Sequence, residues 1–334
     1  MASNLAAVAA RAGVSQSTVS RVLNARPGIS PTTRAAVLAA LADLGYERPV
    51  KLREGRARLV GLVLPALSAP AAALTEVVSG ALARRGFAPV LCTGAGETLS
   101  EEAYTELLFA QAVSGAVFLG GGYQFADGRD EPYRRLAERG LPTVLLNAGD
   151  LAVPLPHVSI EDGHAAGLAR EHLTALGHRD IGLLLGPETH LPSRRWLAAH
   201  RAAFSGAAWP ELVTRTELTA EDGQAAATRL VAAGATALVC ADHALTMGAV
   251  RAARRLGLSV PRDVSLIGFD DDPALTHTEP PLTTLRRPVE AMGRAVVSLL
   301  LERIGGLRGG TEEMLFDAEL VVRASTGAPR RASD

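Results

Sequence analysis

The chain has 334 residues, 48% hydrophobic and 21% charged, with a formal net charge of −1. That length supports two or three domains with real cores, and the composition is that of a globular protein. No apolar run reaches the roughly 18 residues that a membrane-spanning helix needs. The near-neutral total hides an uneven split, because residues 1–58 hold nine Lys or Arg against three Asp or Glu and the remainder is net acidic. A basic head on an acidic body fits a head that meets a polyanion. The alternative is a solvated basic surface with no partner.

The opening MASNLAAVAARAGVS is Ala-rich, but it lacks a basic start and carries Arg11 within its apolar part. It reads as a mature cytoplasmic N-terminus rather than a secretory signal. Residues 4–11 form a first helix with Leu5, Val8 and Ala9 on one face, and Gly13 breaks it. Ser15 is placed to cap a second helix whose buried face is Val19, Val22 and Leu23. After NARPGI, Ser30-Pro31 opens a third helix with Val37, Leu38, Leu41 and Leu44 as its stripe, stopped by Gly45. Three short helices with a tight turn between the first two make a helix-turn-helix arrangement.

The other side of the second helix holds Gln16, Ser17, Ser20, Arg21 and Asn24. Ser and Asn are disfavoured inside helices because their side chains compete for backbone hydrogen bonds. A helix lying in the DNA major groove requires such groups. Gln pairs with adenine, Arg with guanine, and Ser or Thr with bases or phosphates. A solvated helix face is the alternative, and the turn, the third helix and the basic head weigh against it. Residues 1–48 are therefore expected to bind double-stranded DNA.

Residues 49–58 (PVKLREGRAR) are basic, poor in apolar residues and flanked by Pro and Gly, as in a hinge or linker. Beyond Leu59, short apolar runs alternate with helical patterns. LVGLVLP, APVLC, GAVFLGG and PTVLLN form one set, with helices near 71–85, 99–112 and 130–139. HVSI, DIGLLLG, ALVCA and VSLIGFD form a second set, with helices near 163–176, 193–204, 222–233 and 244–256. This is the βαβα order of doubly wound parallel sheets, and two such sets predict two lobes with a cleft between them. Ligands in such sheets bind beyond the carboxyl ends of the strands. Residues 288–304 form an amphipathic helix, and the tail GAPRRASD is polar and expected to be disordered. Cys92 and Cys240 each end an apolar run and read as buried free thiols rather than a disulfide.

NLAAVAARAGVSQSTVSRVLN followed by GISPTTRAAVLAALADLGY resembles the DNA-binding head of the lactose-repressor/galactose-repressor (LacI/GalR) family. VGLVLP, EDG, LTALGHRDIGLLLGP, ALVCADHALTMGAVRAARRLGLSVPRDVSLIGFDD and PPLTTLRRP resemble its core in the same order, so the likeness runs from about residue 1 to 323. The resemblance implies a periplasmic-binding-protein-like core over 59–334. Its N-terminal lobe would take 59–155 plus 287–315, and its C-terminal lobe 156–284 plus 316–325. It further implies a homodimer on a pseudo-palindromic operator, acting as a repressor under control of a small effector, a sugar or related metabolite. On matching positions, Gln16, Ser17 and Arg21 would read bases, while Ser15, Thr18, Ser20 and Asn24 would hold phosphates or support the helix.

Two segments depart from the family pattern. The hinge GYERPVKLREGRARLVG is about three residues short and lacks the usual Ala-Arg pair, leaving Leu52 as the candidate minor-groove wedge. Packing of Leu52 within the linker is the alternative. In the cleft, Asp162 and Asp270 match acidic positions that hydrogen-bond sugar hydroxyls, although either could instead cap a helix or anchor a loop. Trp196 stands where the family usually has a ligand-gripping Arg, and Ala241 replaces a common Asn. Trp could stack on a sugar face or fill space, and Arg194 or Arg195 could supply the lost guanidinium. Fewer donors argue against an anionic effector.

Other chemistry finds no support. GGG at 120–122 lacks the Lys-Ser/Thr of a phosphate loop and reads as a loop at the cleft rim. His164, His172 and His178 lack a completing metal set and read as solvated or capping residues. Asp270, Asp271 and Asp272 have no partners for acid–base catalysis. No enzyme, cofactor or metal is expected. The C-terminal STGAPRRASD lacks the apolar heptads of a tetramerising helix, which leaves a dimer. Two alternatives to an effector-controlled regulator stay open: a regulator with a degenerate, effector-independent pocket, and a solute-binding protein.

Overall fold

The computed structural model describes residues 5–23, 29–43, 58–94, 100–126, 130–149, 153–203, 212–307 and 310–330. The chain divides into two units, residues 1–57 and 58–334. In the first, α1 (Leu5–Ala12), α2 (Gln16–Leu23) and α3 (Pro31–Asp43) surround a small core of Val8, Ala9, Val19, Val22, Val37 and Ala40. Gly13, at φ 65, makes the turn between α1 and α2, and the Val14 N–H donates to the Ala9 carbonyl at 3.0 Å. A left-handed residue after a helix is where glycine, lacking Cβ, costs least. Leu52 and Asn24 lie outside the described residues, as do the hinge and the side chains of Ser20 and Leu23.

The second unit is built on two six-stranded sheets. One holds β1 (Leu59–Leu64), β2 (Ala88–Thr93), β3 (Gly115–Phe118), β4 (Thr143–Leu146), β5 (His157–Ile160) and β11 (Glu313–Phe316), in the order β11-β5-β4-β3-β1-β2. The other holds β6 (Ile181–Leu185), β7 (Val213–Arg215), β8 (Ala237–Cys240), β9 (Ser265–Phe269), β10 (Thr283–Arg286) and β12 (Glu319–Val321), in the order β12-β10-β9-β8-β6-β7. The two orders are equivalent, so the lobes repeat one topology. Central strands such as β3, β6 and β9 are buried along their whole length, as parallel strands covered by helices on both faces must be. All pairings are parallel except β10 with β12, so the expectation of purely parallel sheets needs one antiparallel edge added.

Helices α4 (Ala69–Arg84), α5 (Glu101–Ala110), α6 (Glu131–Glu138) and α12 (Val289–Ile304) cover the first sheet. Helices α7 (Asp162–Ala175), α8 (Leu191–Ala203), α9 (Ala220–Ala232), α10 (His243–Arg255) and α11 (Pro273–Thr276) belong to the second. The strand HVSI, expected to open the second lobe, closes the first sheet beside β4 instead. The chain therefore changes lobe after Ile160, not near 155. It crosses again between β10 and α12, and a third time between β11 and β12.

Two further expectations need correction. His178 is fully buried rather than solvated: Nδ1 lies 2.9 Å from Thr236 Oγ1, and Nε2 lies 3.1 Å from Ser265 Oγ and 2.8 Å from the Gly327 carbonyl. The same contacts tie down the start of the tail, since the Gly327 N–H donates to Ser265 Oγ at 3.1 Å. Cys92 and Cys240 are buried and free, and burial pushes the Cys240 thiol up to about 12, which keeps it protonated and inert.

Candidate functional site

In the head, Ser15 Oγ accepts from the Thr18 N–H at 3.1 Å and lies 2.8 Å from Ser17 Oγ. This side-chain cap satisfies one of the free N–H groups that every helix start leaves. Ser15, Gln16, Ser17 and Arg21 are exposed, Thr18 is half-buried, and Val19 and Val22 face the core. Gln16, Ser17 and Arg21 thus stand together on the open side of α2, within about a turn and a half of the helix. α3 begins the same way, with Ser30 Oγ accepting from the Thr33 N–H at 3.1 Å.

In the core, a cleft of about 540 Å³ opens between the lobes at the carboxyl ends of the strands. Its lining includes the carboxylates of Glu101, Asp162, Asp242 and Asp270, the guanidinium of Arg287, the imidazoles of His190 and His243, the amides of Gln124 and Asn147, and the rings of Phe125 and Phe269. Asp162 opens α7 immediately after the first lobe crossing, but Glu161 caps that helix through the His164 N–H. Asp162 is buried, and burial raises its carboxyl to about 7 despite the nearby Arg195 charge and a hydrogen bond from the Trp196 indole. At neutral pH it therefore both donates and accepts hydrogen bonds.

Asp270 follows β9 in the left-handed region, at φ 62, and is buried. Its Oδ1 accepts a hydrogen bond from Arg287 Nε. Arg287 stands in the second lobe crossing, its guanidinium carbon 5.9 Å from the Phe269 ring centroid. Asp242 caps α10, accepting from the Ala244 and Leu245 N–H groups at 2.7 and 3.3 Å; burial and the Asp270 charge raise its carboxyl. The neighbouring His243 Nδ1 is buried and has no hydrogen-bond partner among the described residues.

At the mouth, the lobes touch: the Ala126 N–H donates to the Thr189 carbonyl at 2.7 Å, and the Phe125 and His190 rings lie 5.1 Å apart. Burial lowers the His190 imidazole to about 4, so it is neutral at physiological pH. Among the described residues no group of His, Cys, Asp and Glu is arranged to hold a metal ion, and no helix is long and apolar enough to cross a membrane.

Residues 4–48 match the model of bacterial regulatory proteins of the lacI family, and residues 170–326 match the periplasmic binding protein-like domain. The HTH-type transcriptional regulator reg1 of Streptomyces lividans is 46% identical over 337 residues, covering 98% of each chain. The chain belongs to the lacI family. Like its relatives, this lacI-family protein is a DNA-binding transcriptional regulator. Among solved structures it is similar to a transcriptional regulator CelR–cellobiose complex, with a TM-score of 0.71, 31% identity and coverage of 96% of this chain and 99% of that one. It is also similar to a lac repressor dimer bound to operator and the anti-inducer ONPF, with a TM-score of 0.70, 28% identity and coverage of 97% and 99%.

Within this lacI-family regulator, Asp162 and Asp270 both line the cleft, whereas Trp196 and Arg194 do not. Trp196 is 2% exposed and packs edge-on behind Phe269, with centroids 5.8 Å apart. Its part in the cleft is indirect, through the indole hydrogen bond to Asp162. Arg194 lines a separate recess. Arg195 does not reach the cleft lining either; it makes a two-pronged bond to Glu313 at 2.8 and 2.7 Å. The guanidinium that does line the cleft is Arg287, which the sequence reading passed over within PPLTTLRRP.

Glu101 was also missed. Its Oε1 accepts from the Gly122 N–H at 2.6 Å, and a Cβ on Gly121 would lie 2.3 Å from that same oxygen. The triple glycine therefore serves to bed a carboxylate against the loop backbone at the cleft. Bare glycines after a strand were the available signal, without any hint of which acid they admit.

Proposed function

We propose that this regulator binds a pseudo-palindromic operator as a homodimer, represses from it, and takes an uncharged sugar in the inter-lobe cleft. The observation that carries the sugar reading is the charge balance of the cleft. Its lining arginine, Arg287, is already bonded to Asp270, while Asp162, with its carboxyl near 7, offers hydrogen bonds without a full charge, and the buried His243 Nδ1 has no hydrogen-bond partner among the described residues. Hydroxyl groups that both donate and accept suit such a lining; phosphates and carboxylates do not. The volume is that of an ordinary small-molecule site and admits a mono- or disaccharide. Exposed Val90 and Leu91 on edge strand β2 supply apolar surface for a dimer contact.

A thermal-shift panel of cellobiose, maltose, glucose and ribose tests the ligand. One neutral sugar should raise the melting temperature in proportion to its saturation, and Asp270→Ala should abolish the shift. If no neutral sugar shifts the melting point, the sugar reading falls and the effector-independent pocket takes its place. Selection of genomic fragments at about 150 mM salt, where non-specific phosphate binding is weak, should recover a pseudo-palindrome. Recovery of unrelated sequences would overturn the operator reading.

A further inference from the structure

A second recess, of about 420 Å³, lies at the lobe junction and shares no lining residue with the sugar cleft. Ala126 of the N-terminal lobe stands on one side, and Arg194, Arg201 and Arg215 of the C-terminal lobe stand on the other. Arg194 and Arg201 are seven residues apart on α8, two turns along one face. Arg215 ends β7, half-buried, with Nη1 donating to the Pro187 carbonyl at 3.3 Å. Three arginines from two elements thus line one recess, and Glu188 is the one carboxylate among its described lining residues. Burial lowers the pKa of Arg215, Glu188 raises it, and the charges of Arg201 and Arg194 lower it further, so like charges are held close enough to repel.

We propose that this recess is an oxyanion site for a phosphoryl group, distinct from the sugar cleft. A guanidinium presents a planar fork of N–H donors that matches phosphate oxygens, and a cluster of them outcompetes water for a doubly charged anion. Leu197 and Ala198 add apolar lining beside the charges, where the carbon skeleton of a phosphorylated metabolite would rest. The Ala126–Thr189 backbone bond at its edge joins the two lobes. An anion seated there favours that lobe arrangement and couples by linkage to whatever occupies the sugar cleft. The regulator then answers to two ligand chemistries, one neutral and one anionic.

Isothermal titration calorimetry of the full chain with inorganic phosphate, and separately with glucose 6-phosphate, tests this in low-salt buffer and again with NaCl at matched ionic strength. Saturable binding with one site per chain is expected. It should weaken at least tenfold in Arg194→Gln and Arg215→Gln and stay unchanged in Arg85→Gln, a change of an exposed arginine elsewhere. Arg194 is itself exposed, so its variant folds even where Arg215→Gln does not. Tighter binding of glucose 6-phosphate than of phosphate assigns the site to a phosphorylated metabolite, whereas equal affinities assign it to free phosphate. Absence of saturable binding, or binding that persists in Arg194→Gln, or equal loss in Arg85→Gln, overturns the proposal.

Discussion

Asp162 shows how one residue can serve a cleft at a cost to the fold. Burial lifts its carboxyl to about 7, while in the unfolded chain it titrates near 4. Between those values the folded state binds more protons than the unfolded state. Asp162 therefore lowers stability progressively as pH rises from about 4 to about 7. Asp162→Asn removes that cost and should raise the melting temperature relative to wild type more at pH 8 than at pH 4. The difference corresponds to at most about 4 kcal/mol. Melting curves at the two pH values check it; an equal gap at both would mean that Asp162 does not titrate in this window. The Trp196 indole limits the cost by donating to the ionised form. A large aromatic placed in the core for its hydrogen bond is a different use of Trp from the ligand stacking that the sequence suggested.

At the scale of the element, α2 sets its capped start and buried face apart from an exposed polar face. Ser15 holds the helix start, so Ser15→Ala should lower the stability of the head by about 0.5–2 kcal/mol. Arg21 is exposed and on the opposite side from buried Val19 and Val22. Arg21→Ala should leave the head's melting unchanged, cost about 1–3 kcal/mol on the operator, and relax preference at one base pair. Binding measured against an operator and its single-base variants decides. Uniform weakening on every sequence would make Arg21 a phosphate contact only. The acidic run 270–272 is divided in a similar way. Asp270 faces Arg287, Asp271 Oδ1 meets Arg323 Nη2 at 2.7 Å, and Asp272 caps α11 through the Ala274 N–H at 2.6 Å.

In the α/β unit as a whole, charge and lobe geometry are linked at the crossings. Asp162 follows the first, Arg287 stands in the second, and Glu313 heads the strand that leads to the third. Arg195 of the C-terminal lobe grips Glu313 of the N-terminal lobe with both oxygens, and both side chains are mostly buried. Burial alone would raise the Glu313 carboxyl, but the hydrogen bonds from Arg195 and the Arg195 charge bring it below its usual value. Its stabilising effect is therefore present above about pH 4 and lost as pH falls through its lowered pKa. Glu313→Gln should destabilise the protein by about 1–3 kcal/mol at pH 7, a gap that closes in acid. A constant gap from pH 7 to pH 3 would show that the pair contributes nothing as an ion pair. The sign is opposite to that of Asp162, so the pH dependence separates the two sites in one experiment.

The helices of the head, the central strands and the core helices were legible because each has a strong local period. Val19 and Val22 fall on one face of α2, and LVGLVLP and DIGLLLG are continuous apolar runs. Strands β7, β10, β11 and β12 were not named. VTR, EMLF and ELV form sheet edges, are half-exposed and carry no unbroken run, while TTLR hides its burial behind threonines. HVSI is equally apolar in either sheet, so only pairing with β4 fixes its lobe. By itself the sequence determined the two kinds of unit, the exposed polar face of α2 and the acidic positions 162 and 270, because these rest on periodicity and residue chemistry. Only the tertiary structure decided that Arg287 lines the cleft while Arg194 and Arg195 turn elsewhere. It likewise placed Trp196 behind the cleft lining, brought Glu101 into that lining, and made His178 a buried anchor. Each of these outcomes depends on which distant segments the lobe crossings bring within hydrogen-bonding reach.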